Sequence, residues 1–308
     1  MSGIAVAVVS YNTRELLSRC LDSVQRESPR EFVVVDNAST DGSAEMVRTG
    51  FATAHLFANS SNPGYGAAAN QAVAGCHAEY ILLLNADTVV CPGALPALRT
   101  FMDAHPKVGM LGPRIVNVDG TLQPSCFPFP TPLDIFLDVS NLTRLIRFLP
   151  GVRESYLRTW SHSHARSVPW VMGAGIVIRR CAFDAAGGFD ESFHMFYEEV
   201  DLCYRLQKLG WQVHFAPVAE IVHMGGASTR QARAEMAVQF YTSLLQFYRH
   251  HYTRMRQAEL IVLVQCIALA RWARDSLLSS LTTDPERRVQ LAANRQAWRR
   301  VTRAEWRK

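Results

Sequence analysis

The strongest constraint on this chain is a rhythm in its N-terminal third. Short runs of mostly apolar residues at Ile4–Val9, Phe32–Val35, His55–Ala58 and Tyr80–Leu84 alternate with segments of helical period, as in Leu16, Leu17, Cys20, Leu21 and Val24. A strand apolar at consecutive positions is buried on both faces, so the pattern reads as repeated strand–helix–strand units. Helices are predicted over Thr13–Arg26, after Asp41-Gly42-Ser43, and over the alanine-rich stretch Gly66–Cys76. Such units build an α/β fold with a mostly parallel central sheet, helices on both faces and ligands at the carboxyl ends of the strands.

The rhythm breaks from Asp119 to Pro169, where Pro124, Pro128, Pro130, Pro132 and Pro150 interrupt the chain. A long irregular insertion in a compact domain is usually functional, and this one has helical character around Leu133–Leu149. Strands are predicted again at Ala174–Arg179 and Gln212–Phe215, with a helix at Glu198–Leu209 between them. Helices follow over Arg233–His250, Glu259–Leu281 and from Glu286 onward. This divides the chain into a sheet domain, 1–230, and a helical extension, 231–308.

Charge supports that division. Residues 1–229 hold 17 Lys/Arg against 21 Asp/Glu, whereas residues 230–308 hold 15 against 6. The basic segment carries the apolar run Leu260–Ala270 among its arginines, which suits an anionic lipid surface rather than nucleic acid. Arg271 and Arg274 cut that run short of a spanning helix. Packing on the chain's own domain or forming a dimer interface is the alternative use for these helices. The seven cysteines form no C-x-x-C pair, which fits a reducing compartment, and MSGIAVAVVS reads as a first strand rather than a signal peptide.

Four clusters carry chemistry. Ser10, Tyr11 and Asp36 follow two successive strands, where a carboxylate can accept a base N–H and a tyrosine ring can stack; Asn37 and Ser39 suit helix capping. No G-x-G-x-x-G follows the first strand, which argues against a dinucleotide enzyme. In ILLLNADTVV, extended chain would turn Asn85 and Asp87 to one side, an oxygen pair suited to a hard divalent cation. In FYEEVDLCYRL, helical spacing puts Glu198, Asp201 and Arg205 on one side and Glu199 over Leu202, Cys203 and Leu206, surroundings that raise a carboxyl pKa toward that of a general base. In IVHMGGAST, His223 precedes Gly225-Gly226 and offers an imidazole ligand.

In order and spacing, VVSYN, VVVDNASTDGS, NPGYGAAANQA, LLLNADTVV, GAGIVIRR, GGFDESFHMFYEEVDLCYRLQKLGW and VHMGGAS resemble glycosyltransferase family two, especially its bacterial rhamnosyltransferase-like branch. The resemblance covers about residues 4 to 230. It implies a GT-A fold, an inverting mechanism, and a nucleotide-diphosphate sugar donor held with Mg²⁺ or Mn²⁺. By position it assigns donor binding to Ser10, Tyr11, Asp36, Asn62, Gly64, Asn70, Asn85 and Asp87, and the metal to Asp87 and His223. The catalytic base is Glu199, with Glu198 as the alternative, and Trp170, Gly173 and Asp201 line the sugar and acceptor pocket. Asn85 stands where the family motif begins with aspartate, so one negative charge is missing. The expected reaction is rhamnose transfer from dTDP-rhamnose to a glycan or polyprenyl-linked acceptor at the cytoplasmic membrane face. The alternatives are a UDP- or GDP-sugar donor, or a non-catalytic sugar-nucleotide or glycan-binding module.

Overall fold

The computed structural model describes residues 3–140, 142, 160–225 and 233–303. The expected alternation is present: β1 (Ile4–Ser10), α1 (Arg14–Arg26), β2 (Glu31–Asp36), α2 (Ser43–Gly50), β3 (His55–Ala58), α3 (Tyr65–Ala74), β4 (Tyr80–Asn85), β5 (Thr88–Val90), α4 (Ala94–Ala104) and β6 (Val108–Val116). Then come β7 (Cys126–Phe127), α5 (Pro132–Val139), β8 (Arg166–Ser167), β9 (Trp170–Val171), β10 (Gly175–Arg179), α6 (Arg180–Ala186), α7 (Glu198–Lys208) and β11 (Gln212–His223). Helices α8 (Arg233–His251), α9 (Arg254–Leu281) and α10 (Pro285–Arg303) complete the described chain. The part of the predicted Leu133–Leu149 helix beyond residue 142 lies outside the described residues, as does Gly226.

The nine-stranded sheet runs β3-β2-β1-β4-β10-β6-β11-β5, with β8 on β11. Strands β1 to β4, β6 and β11 share one direction, and β10, β5 and β8 oppose it. The sheet is thus mostly parallel, as expected, with the antiparallel β10 set between β4 and β6. The cause is the long insertion: it leaves β6 at the carboxyl edge and returns at that edge, so the next strand must run back down.

Both faces of the central strands are covered. Ile4, Val6 and Val8 pack with Leu17, Leu21 and Val24 of α1, while Ala5, Ala7 and Val9 pack with Ala68, Ala69 and Ala72 of α3. Alternation of side chains across the pleat sends successive residues to opposite layers, which is why these strands are apolar throughout.

The chain divides into two compact units. One holds the sheet and its flanking helices. The other holds α8, α9 and α10 together with α5 and Met195–Tyr197, which the sequence boundary at 230 groups with the sheet. Within this helical unit, the Tyr248 hydroxyl donates to the Pro130 carbonyl at 2.8 Å, and the rings of Phe196 and Tyr197 meet Phe240. Its core contains a buried carboxylate, Asp275, bonded by Trp298 Nε1 at 3.1 Å and by Arg274 at 2.7 Å. Among the described residues no helix is long and apolar enough to cross a membrane.

One ion pair fixes α7 in the sheet unit. The buried Asp201 accepts from Arg205 Nε at 2.7 Å and Nη2 at 2.6 Å, and Arg205 also donates to the carbonyls of Ala186 and Gly188. Removing one partner of a buried pair strands the other charge. Arg205→Met is therefore expected to cost about 3 kcal/mol, read as a lower urea midpoint; a wild-type midpoint would refute this role.

Candidate active site

Register levels the ends of three strands. Ser10 pairs with Asp36, and Val9 with Asn85, so β1, β2 and β4 finish at one edge. There the Ser10 hydroxyl lies 3.1 Å from that of Thr13, and the neighbouring Tyr11 is 44% exposed. Asp36 is only 1% exposed; its Oδ2 accepts from the Ser39 amide at 2.9 Å, and its Oδ1 has no partner. A buried, unsatisfied carboxylate oxygen is costly, so the position is suited to a donor that arrives with a ligand.

Asn37 and Ser39 do not cap α2. The Asn37 amide donates to Asn62 Oδ1 and the Gly64 carbonyl and accepts from Asn59, while Ser39 Oγ accepts from the Asn12 amide. Asn62 also accepts from the Gly64 amide at 3.0 Å, so it shapes the loop that launches α3. Gly64 sits at φ +97°, and a Cβ there would fall 2.6 Å from the His194 carbonyl oxygen. Only glycine fits that approach.

Asp87 does not lie in extended chain after Asn85. Ala86 and Asp87 form a turn between β4 and β5, so the two side chains are not presented by one straight strand. The turn instead carries Asp87 to β11, whose last residue, His223, pairs with Thr88. Asp87 Oδ1 lies 3.3 Å from His223 Nε2, and the Asp87 carbonyl accepts from the Met224 amide. The other imidazole nitrogen, Nδ1, lies 2.7 Å from Gln123 Oε1. Two atoms bound at about 2.1 Å to one small divalent ion, at a near right angle, are about 3 Å apart, so this carboxylate and imidazole fit a shared cation.

The acidic pair opens α7. Phe196 and Tyr197, just before it, adopt φ of 66° and 71°, strained values for bulky residues that are commonest at functional sites. Both Glu198 and Glu199 have an Oε2 that is buried without a partner. Desolvation raises both carboxyl pKa values, and the charge of Glu199 raises Glu198 further, to well above the usual range. Backbone hydrogen bonds, including one at Gly173, hold Glu199 back from a comparable rise. Tyr65 completes the cluster: its hydroxyl donates to the Gly173 carbonyl at 3.3 Å, and desolvation together with the charges of Glu198, Glu199 and Asp87 holds its proton on firmly.

Trp170 stands nearby in sequence on β9, half-buried, its Nε1 donating to the Pro128 carbonyl and its ring packed on Phe127. Two expected site residues have other work. The Asn70 amide donates to the Phe189 carbonyl and Glu191 and accepts from the Phe189 amide, which commits it to holding that loop. Asp201 is committed to Arg205 rather than presented as a free pocket carboxylate. Tyr65 and Gln123 are absent from the sequence-derived set; Tyr65 lies inside the NPGYGAAANQA motif, whereas Gln123 lies in the irregular insertion, where no pattern marks it.

A family model described as "Glycosyltransferase like family 2" matches residues 2–260. The chain belongs to glycosyltransferase family 2. Among curated relatives of this family 2 enzyme, an N-acetylglucosaminyl-diphospho-decaprenol L-rhamnosyltransferase from Mycobacterium tuberculosis is 30% identical over 73% of this chain and 77% of its own length. A low-salt glycan biosynthesis hexosyltransferase, Agl10, from Haloferax volcanii is 25% identical over 78% of this chain and 73% of its own. In fold it is similar to a mannosyltransferase from Pyrobaculum calidifontis, solved with GDP-Man and Mn²⁺, at TM-score 0.52 and 19% identity, covering 98% of this chain and 86% of that one. The fold is GT-A, and the protein is a glycosyltransferase on the rhamnosyltransferase-like branch.

For this glycosyltransferase, the raised Glu198 pKa has a consequence for stability. A carboxyl group whose pKa is higher folded than unfolded contributes stability that is present below the ordinary carboxylate range and lost as pH rises through the folded value. Glu198→Gln removes that loss. Its melting temperature is expected to exceed that of the wild type at neutral pH, with the gain shrinking toward pH 4. A deficit equal at both pH values would show that Glu198 is not held protonated.

Proposed function

We propose that this enzyme transfers a sugar, with inversion, from a nucleotide diphosphate to a hydroxyl of a glycan or polyprenyl-linked acceptor, and that Glu199 is the base. The observation that carries this reading is the placement of two adjacent carboxyls at the start of α7, each with a buried Oε2 that has no partner, where burial raises both pKa values toward the range of a general base and raises Glu198 further than Glu199. Pairs driven apart in pKa are how acid–base sites divide labour. Glu199 takes the proton of the acceptor hydroxyl as that oxygen attacks the anomeric carbon; the bond to the diphosphate breaks on the opposite face, and the nucleotide leaves. Asp36 Oδ1 suits the imide N–H of uracil or thymine, and Tyr11 offers a stacking face. Asp87 and His223 would hold Mg²⁺ or Mn²⁺, which supplies charge neutralisation at the departing diphosphate. Trp170 and Gly173 border the space for sugar and acceptor. The name of the Mycobacterium relative supports rhamnose as the sugar and a polyprenyl-diphosphate acceptor; the donor proposed with it is dTDP-rhamnose.

Glu199→Gln is expected to keep donor binding and lose transfer by at least about a hundredfold, the usual scale for a general base. Glu198→Gln should retain most activity. Loss in Glu198→Gln with none in Glu199→Gln would reverse the assignment, and unchanged turnover in both would favour a non-catalytic sugar-nucleotide binder.

The helical unit supports a place at the inner face of the cell membrane. Met255, Val262, Leu269, Leu277 and Leu281 of α9 are each more than half exposed and, at spacings of seven, seven, eight and four, fall on one side of the helix. Exposed Arg254, Arg256 and Arg274 flank them, a composition suited to an anionic bilayer. Val262→Glu with Leu269→Glu is expected to abolish sedimentation with anionic liposomes at low salt and to leave transfer to a short soluble acceptor intact. A lower oligomeric mass with unchanged liposome binding would assign the face to a dimer instead.

A further inference from the structure

The loop that follows β6 joins five side chains in one directed series. Thr121 Oγ1 lies 2.6 Å from Asp119 Oδ1, Asn117 Nδ2 is 2.9 Å from Thr121 Oγ1, Gln123 Nε2 is 3.3 Å from Asn117 Oδ1, and His223 Nδ1 is 2.7 Å from Gln123 Oε1. Direction is set at the start. Asp119 is held as a carboxylate, its pKa lowered by the Thr121 hydroxyl and amide, and an ionised carboxylate only accepts. The single hydroxyl proton of Thr121 therefore goes to Asp119, so Thr121 can only accept from Asn117. That turns the Asn117 carbonyl toward the Gln123 amide nitrogen, and the Gln123 carbonyl toward His223. A carbonyl cannot donate, so His223 Nδ1 must carry the proton.

In the neutral ring the far nitrogen, Nε2, then has its lone pair directed at Asp87 Oδ1, 3.3 Å away. Two acceptors at that distance are bridged by a cation, either a proton on Nε2 or a metal ion in its place. We propose that Gln123, backed by Asn117, Thr121 and Asp119, is a positioning residue that fixes the His223 tautomer with Nε2 free for a divalent cation shared with Asp87. In the absence of Gln123 the neutral ring gains by the other tautomer, with Nε2–H donating to Asp87, and a protonated Nε2 cannot bind metal. The inference rests on the assignment of Asp87 and His223 to the metal in the preceding subsection. It gives a reason why a site with asparagine at position 85 can rely on a histidine: the imidazole is held in its ligating form before the ion arrives.

The test uses the full chain, with Mn²⁺ titrated in the presence of dTDP and, in parallel, UDP or GDP, followed by the loss of the free Mn²⁺ electron paramagnetic resonance signal. Two-bond ¹H–¹⁵N spectra report the His223 tautomer without metal. Gln123→Leu is expected to weaken Mn²⁺ binding by roughly 10- to 100-fold, the scale of lost support to a metal ligand, and to switch the ring from Nδ1–H to Nε2–H. Gln123→Glu, which still accepts from Nδ1, should restore both; a merely structural residue would not show that rescue. Loss of Mn²⁺ binding in His223→Ala with none in Gln123→Leu, or an Nε2–H tautomer in the wild type, overturns the role of Gln123 alone. Unchanged Mn²⁺ binding in His223→Ala overturns the metal reading and this inference with it.

Discussion

Two-sided burial of the sheet is the constraint on which the rest depends. With helices on both faces, β1 and β4 have no polar residue to offer except where they end, and register brings those ends level. Ser10, Asp36 and Asn85 are thus not scattered polar residues but the rim of an apolar slab. The rigidity of close packing behind them holds a carboxylate such as Asp36 where a mobile loop could not keep it desolvated.

The same burial supplies the electrostatics. Taking a carboxyl group out of water raises its pKa, and placing two in succession at the start of α7 makes their responses unequal. Tyr65 and the backbone at Gly173 then couple this pair to the turn that carries Asp87. The acidic pair and the Asp87–His223 pair meet because α3, α7 and the β4–β5 turn converge on one edge.

Much of this was legible from residue pattern, and the failures have physical causes. Continuous apolar runs locate strands well because burial on both faces leaves no alternative, and the strand ends follow. Asn85 and Asp87 were misjudged in geometry because two residues between strands can turn as readily as extend, and pairing with β11 decides it. Asn70 and Asp201 look like ligand-facing polar groups in sequence, yet each is spent on a loop or an arginine that only the fold brings near. Gln123 was invisible for the converse reason: it lies where no period exists, and its partner is a histidine one hundred positions away.

The exposed apolar side of α9 bears on how the protein behaves at high concentration. Positive charge on the helical unit keeps molecules apart while the solution is dilute in salt, because like charges repel over a range of about 10 Å at 0.1 M. Salt shortens that range and leaves the hydrophobic attraction intact, so added electrolyte is expected to favour contact among Val262, Leu269 and Leu277 of separate molecules. Salting-in, the usual remedy for a sticky basic protein, would here promote precipitation, and mild detergent or lipid would keep the enzyme dispersed.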